Sequence, residues 1–107
     1  MIYKFKSKAG ADVIMTGPPG EQVLRLLGRD PAAPGIFLAD QLPQAVAALE
    51  QAVADDESAF ARKQAEAKAA GEPAPRREGV TLKQRAWPLV ELMRYALKDG
   101  EDVSWGT

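Results

Sequence analysis

Ile2-Tyr3-Lys4-Phe5-Lys6 places Tyr3 and Phe5 on one face and Lys4 and Lys6 on the other, the period-two alternation of a half-buried strand. Asp12-Val13-Ile14-Met15 reads as its antiparallel partner. The intervening Ser7-Lys8-Ala9-Gly10-Ala11 is short enough for a hairpin in which Gly10 is free to take positive φ. An isolated pair of strands needs further cover to be stable. Val103-Ser104-Trp105 alternates in the same way at the far end of the chain and is expected to supply a third strand. Tyr3 and Trp105 then fall in the core or at its rim.

Between these ends the pattern turns helical. Thr16-Gly17-Pro18-Pro19-Gly20 reads as a plain turn that ends the second strand. Glu21 to Leu27 follows with the apolar spacing of a short helix stopped by Gly28. Arg29 to Gly35 is loop by composition, with Pro31, Pro34 and Gly35. Ile36-Phe37-Leu38 is too short to assign to strand or helix and is expected to be buried. Asp40 is placed to cap a second helix whose first turn tolerates Pro43, with Leu42, Val46, Leu49 and Val53 forming its inward stripe. Strong helix formers continue to Ala70, giving about 45 Å of helix from Gln41 at 1.5 Å per residue. Glu72 to Gly79 reads as a mobile linker. Thr81-Leu82-Lys83-Gln84 is a capping box that opens the last helix, whose apolar side is Leu82, Ala86, Leu89, Val90, Met93, Ala96 and Leu97. Pro88 removes one hydrogen bond inside that helix, so a kink or a 3₁₀ turn is expected near Gln84 to Trp87.

The supply of core residues fixes the organisation. Of the 107 residues, 46% are hydrophobic, but 19 are alanine; of the 30 larger apolar side chains only Phe60 lies between Ala54 and Gly79. The expected architecture is an α+β fold in a single domain spanning 1-107. A small antiparallel sheet, made of the N-terminal hairpin and the C-terminal strand, is packed by two or three helices, and one long helix projects in part. Residues 54–79 form a polar helical extension and linker.

Composition also excludes chemistry. The chain has no cysteine and no histidine, which removes disulfides, thiol nucleophiles, imidazole bases and zinc sites built on those ligands. With 14 basic and 15 acidic residues, it is not built to coat nucleic acid or membrane surface. No export signal is apparent and no apolar run approaches the roughly 20 residues of a membrane span. A cytoplasmic location and no membrane association are therefore expected, and no cofactor is implied.

Several clusters have a chemical reading beside a plainer one. Asp55-Asp56-Glu57 carries oxygen ligands for Mg²⁺ or Ca²⁺, but consecutive helical positions diverge by 100°, and a solvated helix face is the simpler account. Arg76, Arg77, Lys83 and Arg85, with Trp87 nearby, have the chemistry to grip phosphates while an aromatic ring stacks on a base. Alternatively, Arg76 and Arg77 pair with the acidic middle segment or simply solvate a linker. Trp87 lies off the apolar face and is read either as a surface contact or as cover for a core edge. Glu91 and Arg94, one turn apart, are read as a surface ion pair. Arg76, Arg77, Arg85 and Trp87 are thus the candidate interaction surface, and no catalytic or metal-binding residue is identified.

The blocks Met1 to Lys8, Asp12 to Met15, Gln22 to Arg25, Arg76 to Val80, Gln84 to Glu91 and Val103 to Gly106 together resemble a bacterial family catalogued as domain of unknown function 1840. The resemblance runs from end to end, matches the alanine-rich middle in composition only, and implies no reaction, cofactor or partner. The expected function is a small non-catalytic cytoplasmic protein-interaction module, its partner another protein or a second copy. The alternatives are a nucleic-acid or phosphate-ligand binder and a small enzyme.

Overall fold

The computed structural model describes residues 2–77 and 79–106; Met1, Glu78 and Thr107, of which Glu78 belongs to the expected linker, lie outside the described residues. The elements run β1 (Ile2–Ser7), β2 (Gly10–Thr16), α1 (Gly17–Leu26), β3 (Gly35–Phe37), a 3₁₀ turn (Ala39–Gln41), α2 (Leu42–Ala69), α3 (Leu82–Asp99) and β4 (Val103–Trp105). The fold is α+β. All strand pairs are antiparallel, in the order β2-β1-β4-β3.

The N-terminal hairpin forms where the alternation placed it. Tyr3 pairs with Met15 and Phe5 with Val13, so the inward side chains of both strands share one face, while Lys4 and Ile14 pair on the opposite, exposed face. The turn is tighter than the sequence suggested, with Ser7 opposite Gly10. Gly10 is absent from the positive-φ glycines, which corrects the reason expected for it. Its role is proximity: a Cβ there would stand 3.1 Å from a Leu92 methyl of α3.

β4 enters as expected, with Phe5 opposite Trp105. A fourth strand, β3, pairs along its other side, with Phe37 opposite Val103. The Ile36-Phe37-Leu38 segment is therefore strand up to Phe37, and only Phe37 is buried; Ile36 and Leu38 are exposed. Alternation explains the difference, because a strand on a one-sided sheet buries every second residue.

Gly17-Pro18-Pro19-Gly20 is the first turn of α1 rather than a turn preceding it. The first N–H groups of a helix have no partner within it, so two early prolines cost no hydrogen bonds. Gly20 is buried against the Tyr3 ring, which leaves no room for a side chain. Burial holds the Tyr3 phenol above its usual pKa of 10.0, and the Glu21 carboxylate reinforces the rise through its charge and a hydrogen bond. Ionising Tyr3 therefore opposes folding. The contribution is fully present below the unfolded pKa near 10 and is lost as pH rises through the higher folded value. Urea unfolding of the Tyr3→Phe variant from about pH 9 to about pH 11 should show a shallower alkaline loss of stability than the parent, with the exposed Tyr95→Phe as control.

α2 buries Leu42, Ala45, Val46, Leu49 and Val53 and then leaves the core. No described residue from Ala54 to Gly79 is buried. The helix nevertheless continues unbroken to Ala69, and at about 1.5 Å per residue its 28 residues explain why one dimension of the molecule is 51 Å against 28 and 22 Å. Asp40 does not cap it. Asp40 sits inside the 3₁₀ turn, whose own start is closed by Gln41 accepting the Leu38 N–H at 2.9 Å, and α2 begins without a side-chain cap.

The capping box of α3 is formed: the Gln84 N–H donates to Thr81 Oγ1 at 3.2 Å, and the Thr81 N–H donates to Gln84 Oε1 at 2.9 Å. Despite Pro88, α3 is α-helical over its full length, with no 3₁₀ turn. The proline falls in the second turn, where a single lost bond is tolerated between a capped start and a well-packed face. That face buries Leu92 in addition to the expected Ala86, Leu89, Val90, Met93 and Ala96, whereas Leu97 is exposed.

Candidate functional site

α3 presents its outer side as a stripe. Lys83, Trp87, Glu91, Arg94 and Lys98 recur at steps of four, four, three and four, which keeps them on one helical side. Trp87 is half-buried against the core edge. Lys83 Nζ lies 5.9 Å and Arg94 Cζ 5.2 Å from its ring, within cation–π range. Arg94 also reaches across to α2, pairing with Glu50 at 3.0 Å. The expected Glu91–Arg94 pair is replaced by this interhelical one, since the guanidinium is drawn toward the neighbouring helix.

Two open depressions meet on this surface. One, of about 480 Å³, is lined by Trp87, Glu91, Arg94, Tyr95 and Lys98. The other, of about 260 Å³, lies between the hairpin and α3, with Val13, Pro88 and Leu92 among its walls. Glu91 and Tyr95 belong to both, and Tyr95 is 58% exposed. The hairpin turn is held here by the close approach of Gly10 to Leu92.

The four sequence-named residues do not converge. Arg77 is occupied: it pairs with Asp56 at 2.9 Å and stacks over Phe60 at 4.3 Å. Together with Gln64, which donates to the Pro75 carbonyl at 3.5 Å, it lays the expected mobile linker back along the outer half of α2. Pairing with the acidic middle segment is thus the arrangement found for Arg77, while Arg76 is exposed. Asp55, the neighbour of Asp56 in the acidic run, accepts from Gln51 at 2.9 Å. Arg85 lies two residues from Trp87 on a continuous helix, roughly 160° away around the axis, so the two cannot grip one ligand from one face. Of the four, Trp87 alone stands in the aromatic and cationic stripe. Lys98 reads in the sequence only as part of the polar side of this helix, and Tyr95 is missed there although it follows Glu91 by four residues.

Among the described residues, no helix is long and apolar enough to cross a membrane. Comparison with curated proteins and with solved structures gave no match. A family profile matches residues 1–105: the chain belongs to the family described as a domain of unknown function (DUF1840).

Proposed function

We propose that the chain is a small non-catalytic interaction module of the bacterial cytoplasm that docks a protein partner on the outer side of α3. The observation that carries this reading is the grouping of Trp87 and exposed Tyr95 with Lys83, Arg94 and Lys98 over two adjoining depressions. Tryptophan, tyrosine and arginine are the residue types enriched at the centres of protein interfaces. With Arg94 paired to Glu50, Lys83 and Lys98 still outweigh Glu91 and favour a partner segment in which acidic residues flank an apolar side chain. Arg94 is restrained by Glu50 before any partner arrives, which lowers the ordering cost of binding.

The test is quantitative affinity capture from bacterial extract with the parent and the Trp87→Ala/Tyr95→Ala double variant. A partner held by this face should be depleted at least about tenfold with the variant, a loss typical of removing interface anchors, and should elute with salt. Identical capture by the two proteins would remove the reading. Nucleic-acid binding is the competing account, since Trp87 flanked by cations has the chemistry to stack a base. It is weakened by the engagement of Arg77 with Asp56 and Phe60. A salt-sensitive change in tryptophan fluorescence on adding single-stranded oligonucleotide would favour it over a protein partner.

A further inference from the structure

We propose that the groove between the end of α1 and the start of α2 binds a small aliphatic carboxylic acid, with Arg29 receiving the carboxylate. This goes beyond the protein-docking reading and uses a different surface. The groove has a volume of about 290 Å³, at the small end of the few hundred Å³ and more typical of ligand sites. Leu26 and Leu27 of the α1 end and Ala45 and Ala48 of α2 line it, and the short alanine side chains occupy little of the space. These four residues make apolar walls; Arg29 and Gln41, in contact with each other, and Gln44 supply its polar groups.

Arg29 is held in place without an ion pair to any described residue. Its guanidinium stacks 4.5 Å over the Phe37 ring and 5.6 Å from the Trp105 ring. Its Nη2 donates to Gln41 Oε1 at 3.4 Å, and that same oxygen is fixed by the Leu38 N–H at 2.9 Å. Among the described residues the ion pairs are Arg77–Asp56 and Arg94–Glu50, so no described carboxylate pairs with Arg29. Stacking occupies a guanidinium's face and leaves its in-plane N–H groups available, the geometry that suits bidentate carboxylate binding. A single fixed cation beside apolar walls matches a monoanion with an aliphatic body. A phosphate dianion would call for more positive charge than this groove carries.

The experiment is an NMR titration of the full chain with octanoate and, separately, octanol, following the amide resonances of Leu27, Ala45 and Ala48. Octanoate should bind at least tenfold more tightly than octanol and shift these resonances. Arg29→Gln should abolish that preference and Arg29→Lys should retain only part of it, because a point charge lacks the planar fork. Trp87→Ala should leave octanoate binding unchanged, which separates this site from the α3 surface. Equal affinity of the parent protein for the two compounds overturns the proposal even if the Arg29 variants prove unstable. Resonance shifts confined to other regions, or displacement of octanoate by equimolar inorganic phosphate, overturn it as well.

Discussion

Replacing Trp105 by alanine should cost about 3–5 kcal/mol of folding stability, the range for removing a large aromatic side chain from a core. Trp105 is 2% exposed and sits on β4 between the two strands that β4 joins. Its ring is 4.9 Å from Phe37 on β3 and 6.4 Å from Phe5 on β1. It also lies so close beneath Gly35 that a Cβ there would collide with it. Its indole N–H donates to the Ala33 carbonyl at 3.1 Å, tying down the loop before β3. Removing the ring leaves a cavity bordered by three strands, and the short β3 has little else to hold it. Total stability of about 5–15 kcal/mol is usual for domains, so the variant should sit near its unfolding threshold. Urea denaturation followed by far-ultraviolet circular dichroism gives the value. A loss below about 1 kcal/mol would show that Trp105 is not a core residue. Trp87→Ala, at a half-buried site, should lose roughly half as much or less, in proportion to the smaller area involved.

The second large effect is of opposite kind: adding atoms. Gly20→Val should destabilise by about 2 kcal/mol through overpacking. A Cβ at position 20 would approach Tyr3 Cγ to 2.8 Å and the ring beyond it more closely still. Tyr3 is fixed to β1 opposite Met15, so the ring cannot swing aside without moving strand or helix. Helix propensity pulls the other way, since glycine is the poorer helix former by less than about 1 kcal/mol; that gain is too small to offset the collision. A double-mutant cycle isolates the cause. In a Tyr3→Ala background the penalty for Gly20→Val should largely vanish, and persistence of the full penalty would place its origin outside this contact.

The parts of this molecule legible in its sequence are those set by local periodicity. Tyr3 and Phe5 alternate with lysines, and the capping residues Thr81 and Gln84 sit three apart, so β1 and the start of α3 follow from neighbours in the chain. Glycine at 28, 71 and 100 takes positive φ just beyond the three helices, as stop signals should. What was not legible depends on distant partners. Ile36-Phe37 becomes strand because Ser104 and Val103 lie beside it. Gly10 and Gly20 are explained by Leu92 and Tyr3, not by the turn chemistry their immediate surroundings suggested. Arg29 reads as one loop cation among several until the fold sets it over Phe37 and Trp105. The separation of Arg85 from Trp87 is a different case. Helical geometry alone implies it, but treating the basic residues as one cluster along the chain obscured their divergence around the axis.

The strand order β2-β1-β4-β3 bears on how the protein is made. β3 pairs with β4 and with no earlier strand, and β4 spans residues 103–105. During synthesis the segment around Phe37 therefore waits, without its backbone partner, until nearly seventy further residues have left the ribosome, and β1, made earlier still, keeps one edge open until the same moment. Closure of the sheet is a late insertion that seals two exposed edges in one step. Nascent chains halted before Trp105 emerges should be the aggregation-prone and protease-sensitive ones, while the hairpin and α1, joined by local contacts, are free to assemble early.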